Sequence, residues 1–454
     1  MLTYELKKAP GMPLYESLYR CLRGDILSGA LAAGVKLPSK RALAENLKVS
    51  KITVETAYNQ LLSEGYIRSE EKKGYFVEAH QRPAPPPTPT PPPREPEEPH
   101  LDLSGNGPAR FPFSVWSRLQ RQTMQELGQT LLQPLHNQGA WELRCAIAAH
   151  LQGFRGMHVN PENIVIGAGT DFLYNLIIQL LGSDRVYAVE EPGYRKIRRI
   201  YEAAGVRCVS APMDKEGVLA DSLADSGVLH ISPSHHFPTG IVTTMSRRLA
   251  LLRLSQAHNA YIIEDDYDTE FRFHAHPLPA LHTLDSGERV IYMNSFSKSL
   301  APSIRVGFMV LPEHLMALYR EKLGFYSCTV PSFEQYTLAR FLSEGHFEKH
   351  INRMRKFYRA RRDRVAAALE SCPWAARMTI LEEDAGLHFL VKLDTALSDD
   401  DLTDRFHTAG IRIRPLSHYY HGIVPDYARS TLLVNYSGLD ENELWRLQQV
   451  QLDP

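Results

Sequence analysis

Residues 290–299 read Val-Ile-Tyr-Met-Asn-Ser-Phe-Ser-Lys-Ser, and Arg305 follows the lysine, Lys298, after seven positions. The apolar half of this stretch predicts a buried strand, and its polar half predicts a loop at the carboxyl end of that strand. A loop in this position can present a primary amine. Ser295, Ser297 and Arg305 offer the hydroxyls and the guanidinium that hold a phosphate dianion. The stretch therefore predicts a sheet edge that anchors a phosphorylated aldehyde.

Lys298 suits a Schiff base with pyridoxal 5′-phosphate, and the segment ahead of it supports that cofactor. Residues 261–267 read Tyr-Ile-Ile-Glu-Asp-Asp-Tyr, which predicts an apolar strand ending in acids at the edge where α/β sheets bind ligands. Asp265 can pair there with the pyridinium nitrogen and keep it protonated, so that the ring withdraws electrons. Tyr267 can hydrogen-bond the phenolic oxygen of the ring.

Two earlier segments offer the remaining contacts to the cofactor. Residues 167–170 read Gly-Ala-Gly-Thr between a predicted strand and a predicted helix, so the amides of Gly169 and Thr170 can meet the phosphate at a helix N-terminus. Tyr194 follows the turn Glu-Glu-Pro-Gly and can stack on the pyridine face. Each segment alone is common in loops, and the prediction depends on their order and spacing together.

Apolar runs alternate with amphipathic stretches after residue 100, which predicts an α/β domain with a mostly parallel sheet. From about residue 329, long charged helices surround short strands at 387–393 and 411–415, which predicts a smaller α+β lobe. The strands of the larger part are predicted at 163–166, 185–189, 227–232, 261–264, 289–294 and 307–311.

The first eighty residues have a different pattern, which predicts a small helical module with a hairpin. Helical spacing runs through 14–27 and 40–47, and Ser50 is placed to cap a third helix. Residues 65–77 predict two short strands joined by the turn Glu-Glu-Lys-Lys-Gly. This order of elements is that of a winged helix-turn-helix. The module has 12 Lys and Arg against 9 Asp and Glu, so its charge matters mainly through its placement.

Residues 37–44 read Leu-Pro-Ser-Lys-Arg-Ala-Leu-Ala, and residues 49–54 read Val-Ser-Lys-Ile-Thr-Val. These runs resemble the GntR family of bacterial regulators, which implies binding to double-stranded operator DNA. The N-terminus of the third helix offers free amides to a phosphate and points side chains toward the groove. The wing tip and one arginine of the second helix would hold flanking phosphates. The predicted DNA contacts are Arg41, Ser50, Lys51, Thr53, Lys72 and Lys73.

A proline-rich segment separates the two parts of the chain. Residues 83–99 contain ten prolines and almost nothing apolar, so they cannot form a core. Proline favours polyproline II, which predicts a semi-rigid spacer of about 50 Å when fully extended. The predicted organisation is a DNA-binding domain at 1–80, a linker at 81–100 and a cofactor-binding domain at 101–454. A role of the segment as a ligand for another protein's groove is the alternative.

Two runs in the later part of the chain extend the resemblance. Residues 232–240 read Ser-Pro-Ser-His-His-Phe-Pro-Thr-Gly, and residues 264–271 read Glu-Asp-Asp-Tyr-Asp-Thr-Glu-Phe. With the lysine loop and Arg305 they resemble fold-type I aminotransferases and, in this form, the MocR subfamily of GntR regulators. The resemblance spans nearly the whole chain. It implies a mostly α winged helix-turn-helix fused to an α/β aminotransferase-like domain with a smaller α+β C-terminal lobe, in a head-to-tail homodimer.

Two positions depart from the aminotransferase pattern. These enzymes usually clamp the substrate α-carboxylate with the arginine of a run such as Arg-x-x-Phe-Ser, and that position is Leu433 in this chain. A bidentate carboxylate contact is therefore lost. Pro134 stands where a tyrosine of one subunit commonly contacts the phosphate in its partner. The candidates to replace the clamp are Arg195, Lys196, Arg412 and Arg414.

The composition of the chain argues against several other classes of protein. The 454 residues include 51 Lys and Arg and 52 Asp and Glu, so net charge alone predicts neither nucleic-acid nor membrane binding. The five cysteines are scattered and lack a Cys-x-x-Cys pair, which argues against a disulfide framework or a zinc site, and we expect no metal. The chain shows neither a signal peptide nor a long uninterrupted apolar run, so we expect a cytoplasmic protein without membrane contact.

Three functions fit these features. The leading prediction is a transcriptional regulator that binds pyridoxal phosphate through Lys298 and senses an amine, an amino acid or pyridoxal phosphate itself. The second is a catalytically active aminotransferase with an accessory DNA-binding module, and the leucine at 433 weighs against efficient turnover. The third is a metabolic sensor whose winged helix binds protein rather than DNA.

Overall fold

The computed structural model describes residues 2–4, 6, 13–79, 101–105, 110–224, 226–272, 278–381 and 386–452. The chain divides into two compact units, Met1–Glu97 and Glu98–Pro454, which we name unit 1 and unit 2. The linker predicted at 81–100 lies outside the described residues.

Unit 1 consists of α1 (Leu14–Ser28), α2 (Lys40–Leu47), α3 (Lys51–Ser63), β1 (Ile67–Glu70) and β2 (Gly74–Val77). Each of the last two helices begins at a serine cap, as the sequence predicts for α3. Ser39 Oγ accepts a hydrogen bond of 3.2 Å from the Ala42 amide, and Ser50 Oγ accepts one of 3.1 Å from the Thr53 amide. The apolar faces of the helices and of the β1–β2 hairpin meet in one core, which completes a winged helix-turn-helix.

Unit 2 contains a large α/β part and a smaller lobe. Its elements are β3 (Leu101–Asp102), α4 (Phe113–Leu127), α5 (Trp141–Arg155), β4 (Ile164–Gly167), α6 (Thr170–Leu181), β5 (Tyr187–Glu191), α7 (Arg195–Ala203), β6 (Cys208–Asp214), β7 (Gly217–Val218), β8 (Val228–Ile231), α8 (Met245–Ala257), β9 (Tyr261–Asp265), α9 (Leu281–Leu284), β10 (Val290–Ser295), β11 (Gly307–Val310), α10 (Glu313–Leu323), α11 (Ser332–Ser343), α12 (His346–Glu370), β12 (Met378–Leu381), β13 (His388–Leu393), α13 (Asp399–Thr408), β14 (Ile411–Arg412), β15 (Arg414–Pro415) and β16 (Thr431–Asn435).

Among the described residues, eight strands form the large sheet, in the order β4-β11-β10-β9-β8-β5-β6-β7. The five central strands from β10 to β6 run parallel, whereas β11 is antiparallel to both of its neighbours and β7 is antiparallel to β6. In the β9–β10 pair, Asp265 lies opposite Met293. The carboxyl ends of these strands are therefore side by side, which brings the acidic segment and the lysine loop to one edge of the sheet.

Both faces of the large sheet are covered by helices, which is why its strands are apolar throughout. In β10, Ile291 and Met293 pack with α6, α7 and α10 on one face. Tyr292, between them, packs with α5, α11 and α12 on the other face. This two-sided packing holds the strand rigidly just before it ends at the lysine loop.

The smaller lobe has an antiparallel sheet in the order β12-β13-β16-β15. The single strand predicted at 411–415 is wrong. Ile413 is buried between two short strands that have different partners: β14 pairs in parallel with β3, and β15 pairs with β16. Five strands of unit 2 were not predicted, namely β3, β6, β7, β12 and β16, and the ends of the other predicted strands shift by one or two residues. None of the helices in the described part is both long and apolar enough to cross a membrane.

Candidate cofactor site and nucleic-acid interface

A cavity at the carboxyl edge of β9 and β10 brings together most of the predicted cofactor residues. Its volume is about 230 Å³. Every predicted contact lines it except Gly169, which lies beside Arg305. The lining residues are Thr170, Asp171, Tyr174, Glu190, Tyr194, Lys196, Ile197, Ser232, Phe237, Asp265, Tyr267, Ser295, Ser297, Lys298, Pro302 and Arg305.

The amino group of Lys298 has an unusual protonation equilibrium. Desolvation by burial lowers the pKa of Lys298 to about 8, against the opposing pull of the Asp268 carboxylate. About a tenth of such a lysine is the free amine at pH 7, whereas an ordinary lysine has a pKa of ~10.4 and is almost entirely charged. The free amine is the form that attacks an aldehyde, so this environment activates Lys298 as a nucleophile.

The carboxylate of Asp265 has one engaged oxygen and one open oxygen. Tyr174 donates a hydrogen bond of 2.5 Å to Asp265 Oδ2, and His230 Nε2 lies 3.5 Å from the same atom. Oδ1 is buried and has no hydrogen-bond partner among the described residues. A buried acceptor without a donor is costly, so the free oxygen fits the pyridinium N–H of pyridoxal phosphate.

The neighbouring acids, Glu264 and Asp266, face away from the cavity because alternate residues of a strand point to opposite sides. Glu264 accepts hydrogen bonds of 2.9 and 3.0 Å from the backbone amides of 281–282. Asp266 forms a buried ion pair of 3.0 Å with Arg155. The acidic run therefore divides into two side chains that fix the strand end and one, Asp265, that meets the cavity.

One end of the cavity carries the groups expected around a phosphate. Gly169 has a φ of +85°, and a Cβ at this position would lie 2.6 Å from Arg305 Nη2, so glycine is needed for the close approach of the guanidinium. Arg305 Nη2 and Lys196 Nζ lie 3.3 and 2.6 Å from Asp171 Oδ2. Thr170 begins α6, whose first amides are free to bind an anion. Two cations and a helix N-terminus thus fit a dianionic group.

The two predicted tyrosines lie on the cavity walls. Tyr194 is half exposed, and its ring stands perpendicular to that of Phe237 with 5.8 Å between centroids. The Tyr267 hydroxyl lies 3.2 Å from His235 Nδ1. Burial, together with the nearby Asp268 carboxylate, raises the pKa of Tyr267 well above its usual range. Its hydroxyl therefore keeps its proton and can donate a hydrogen bond to a phenolate oxygen.

His235, Asp268 and His388 form a buried group close to Tyr267. Their ligand atoms lie within 4.8 Å of one another, a spacing that a metal ion can use and that the sequence did not predict. His235 Nδ1 is 2.9 and 3.0 Å from the two Asp268 oxygens, so a hydrogen bond to the carboxylate orients this ring. Burial lowers the pKa of His388 well below its usual range, which keeps its imidazole neutral.

The region of the predicted carboxylate clamp is apolar. Leu433 is fully buried in a cluster with Leu416 and Tyr419, against which Phe237 packs. Of the four candidate replacements, Lys196 lines the cavity and pairs with Asp171, as described above. The other three are occupied or lie outside the lining: Arg195 donates to the His418 carbonyl oxygen at 3.2 Å, Arg412 pairs with Asp102 at 3.3 Å, and Arg414 is exposed.

The sequence missed seven of the lining residues, among them Tyr174, Glu190 and Phe237. Tyr174 lies one helical turn after Thr170, a spacing that places both on the same face of α6. Glu190 is buried at the end of β5, where desolvation raises its pKa well above its usual range and its Oε2 accepts a hydrogen bond of 3.0 Å from the Ser232 amide. The signal for Glu190 was its place at the end of a strand beside the predicted turn.

The predicted DNA contacts lie on α2, at the start of α3 and at the wing. Lys51 is exposed at the first position of α3. Ser50 and Thr53 are within 2.8 Å of each other through their hydroxyl oxygens, so both take part in the helix cap. Ile52 is 74% exposed beside them and was missed; an apolar side chain there can contact a thymine methyl group.

The basic residues that flank this helix are in exposed positions. Arg41 forms an exposed ion pair of 3.0 Å with Glu45, and Lys73 lies 3.3 Å from Glu70. Lys72 stands in the wing turn with a φ of +61°. Exposed pairs of this kind contribute little to stability, so phosphates can replace the carboxylates as partners.

Comparison with known families agrees with both units. Residues 14–77 match the model of bacterial regulatory proteins of the gntR family, and residues 99–449 match that of aminotransferase class I and II. A kynurenine aminotransferase from Pyrococcus horikoshii has a similar structure, with a TM-score of 0.68 and 26% identity over 78% of this chain and 90% of that one. The cofactor of this domain is pyridoxal 5′-phosphate.

Relatives with both parts are regulators by name. An uncharacterized HTH-type transcriptional regulator, YdeL of Bacillus subtilis (strain 168), is 36% identical, covering 98% of this chain and 97% of its own length. The probable rhizopine catabolism regulatory protein MocR of Rhizobium meliloti is 33% identical, covering 96% and 92%. The pyridoxine biosynthesis regulator PdxR of Corynebacterium glutamicum is 30% identical, covering 94% and 93%. The chain therefore belongs to the MocR subfamily of GntR-family regulators, as a pyridoxal-phosphate-dependent transcriptional regulator that joins a winged helix-turn-helix to a fold-type I aminotransferase-like domain.

Proposed function

We propose that this regulator holds pyridoxal phosphate on Lys298 and that a small molecule entering the same cavity changes its action on operator DNA. The observation that carries the proposal is the cavity itself. An activated lysine, an unpaired buried carboxylate oxygen of Asp265 and the guanidinium of Arg305 line one space in a chain whose other unit is a winged helix-turn-helix.

When bound, the cofactor supplies an aldehyde and an electron-withdrawing ring. Lys298 contributes a free amine, and Asp265 accepts a hydrogen bond at Oδ1 and holds a proton at the ring nitrogen. Tyr267 donates its hydroxyl proton in a hydrogen bond. Arg305, with Ser295 and Ser297, neutralises the phosphate. Hydrogen bonds and ion pairs within the protein orient these groups before the cofactor enters, which lowers the cost of binding.

The candidate effectors are an amine, an amino acid and free pyridoxal phosphate. The names of two relatives point in different directions, since one concerns rhizopine catabolism and the other pyridoxine biosynthesis. In either case the effector acts only if it binds one arrangement of the regulator more tightly than another. We also propose a head-to-tail homodimer that acts in the cytoplasm, where its operator DNA is accessible. Sedimentation of the full chain tests the dimer.

The decisive experiment uses borohydride to fix the cofactor on the full-length protein. We expect peptide mapping to find the label on Lys298, and Lys298→Ala to retain operator binding by unit 1 while losing the label. Lys356→Ala, a change of the same type in α12 away from the cavity lining, serves as the control and should keep the label. Label on another lysine, or operator binding that no cofactor or amine alters, would contradict the proposal.

A further inference from the structure

Phe237 lines the cavity and is the centre of a group of aromatic rings. Four rings surround it edge to face, at centroid distances of 5.2 Å for His388, 5.3 Å for Tyr419, 5.8 Å for Tyr194 and 6.5 Å for Tyr267. We name these five residues the Phe237 wall; Phe237, Tyr194 and Tyr267 line the cavity, and His388 and Tyr419 pack against Phe237. Behind it lies the apolar cluster that contains the fully buried Leu433.

The Phe237 wall contains no Asp, Glu, Lys or Arg side chain. Burial lowers the pKa of His388 well below its usual range, so this imidazole is neutral. Burial also raises the pKa of Tyr419 to about 12 and that of Tyr267 well above its usual range, so both hydroxyls keep their protons. Glu190, which lines the same cavity, has a pKa raised well above its usual range by burial, which disfavours its charged form.

The cations that line the cavity have other partners or roles. Among the described lining residues, the basic side chains are Lys196, Lys298 and Arg305. Lys196 and Arg305 both pair with Asp171, at the end that suits the phosphate, and Lys298 is the proposed anchor. Arg414 is the nearest further candidate: its side chain is hydrogen-bonded to that of Tyr419 and opposes the rise of the Tyr419 pKa, but Arg414 is exposed and does not line the cavity.

We propose that the Phe237 wall receives the uncharged substituent of a small primary amine that has no carboxylate beside its amino group. This inference rests on the proposed function and narrows its effector. A carboxylate held against the wall would lose water without gaining a cation, which disfavours an α-amino acid. An apolar substituent gains there instead, by about fourfold in affinity for each buried CH₂ group.

The volume of the cavity limits the size of the substituent on the amine. Its volume of about 230 Å³ is below the ~300–1,000 Å³ of common ligand sites, and the cofactor occupies part of it. The substituent is therefore short. A second ammonium group is disfavoured because the nearby acids already have partners: Asp268 pairs with His235, and Asp265 accepts a hydrogen bond from Tyr174 and is the proposed partner of the ring nitrogen.

The test compares matched ligands on the cofactor-loaded full chain. L-leucine and 3-methylbutylamine differ only in the carboxylate, and 1,5-diaminopentane against pentylamine adds only a second amine. We expect 3-methylbutylamine to change the visible spectrum and raise the melting temperature at concentrations on the order of tenfold lower than L-leucine, the ratio that one unpaired charge produces. Equal or better binding of L-leucine, preference for the diamine, or no response to any of the four overturns the inference. Borohydride trapping on Lys298 in the same samples shows independently whether the proposed function stands.

Substitutions at three positions test which side chains determine the preference between L-leucine and 3-methylbutylamine. Leu433→Arg should improve the binding of L-leucine relative to 3-methylbutylamine by about tenfold or more, because it places a cation behind the Phe237 wall. Leu249→Arg, at an exposed position of α8, should leave the ratio unchanged. Since an arginine at a buried site can prevent folding, Arg414→Met provides a second arm. Its ratio should equal that of the unmodified protein, and a further loss of L-leucine binding would assign the carboxylate to Arg414 and overturn the inference.

Discussion

The predicted binding sites of unit 1 and unit 2 differ in how far apart their residues lie in the sequence. The predicted DNA contacts of unit 1 come from residues 41–73, and serine caps at 39 and 50 fix the helices that carry them. The cavity of unit 2 collects side chains from residues 170–305, which only the strand order of the large sheet brings together. A local site can be read from one motif, whereas a site at a sheet edge requires several motifs and the correct order of strands.

Destabilising unit 1 alone is the strongest test of the contrast between the two units. Leu22 is fully buried in the core of unit 1, and Leu22→Ala should lower the free energy of unfolding of this unit by about 2–5 kcal/mol. We expect calorimetry to show an earlier transition with loss of operator binding, while the cofactor spectrum persists. Leu62→Ala, at a partly exposed position of α3, is the control and should have a small effect. If the cofactor-bound transition moves by the same amount, the units unfold as one body.

A change at Gly169 should impair cofactor binding by unit 2 alone, as Leu22→Ala should impair unit 1 alone. Gly169→Ala places a methyl group against Arg305 Nη2 at a φ of +85°, so cofactor affinity should fall on the order of ten- to a hundredfold. Equilibrium titration of the apo protein with pyridoxal phosphate measures this loss. Gly153→Ala, in α5, has no atom within 4 Å of the added carbon and should keep normal affinity. Normal affinity in Gly169→Ala would remove the loop from the phosphate site.

The pH dependence of cofactor capture tests whether Lys298 behaves as a buried lysine rather than an exposed one. With a pKa of about 8, the free-amine fraction rises with pH below this value and levels off above it. The rate of cofactor capture by the apo protein should therefore rise about tenfold per pH unit below pH 8 and become flat above it. Stopped-flow mixing with pyridoxal phosphate across this range measures the midpoint. A rate that keeps rising toward pH 10 would mean that the lysine is solvated.

The smallest effect is expected at a single phosphate contact of unit 1. Lys51→Ala should weaken operator binding evenly across sequences and reduce the slope of log K against log salt by about 0.9. Fluorescence anisotropy at several salt concentrations measures the slope, with Lys322→Ala, an exposed change in α10, as the control. An unchanged slope would place Lys51 away from the DNA backbone.

The sequence predicted the winged helix-turn-helix, the α/β class and about half of the cavity lining, because strong local signals indicate them. Ser50 is of a residue type that commonly caps helices, and the acidic run 264–266 ends an apolar strand. Tyr174 and Phe237 were missed because their roles depend on which helix or loop packs above the sheet edge, and no residue next to them in the sequence reveals that. The 411–415 error has a similar origin, since strand partners are fixed by tertiary contacts.

The backbone of Leu103 joins two distant parts of unit 2. Its amide donates a hydrogen bond of 2.8 Å to the Arg412 carbonyl oxygen, and its own carbonyl oxygen accepts one of 2.7 Å from the Asn435 amide. Asn435 ends β16, the strand that holds Leu433 behind the Phe237 wall. The first described residues after the predicted linker are therefore hydrogen-bonded to the strand that carries Leu433. We expect a displacement of β16 to move the backbone at Leu103 with it, because the two segments share a hydrogen bond.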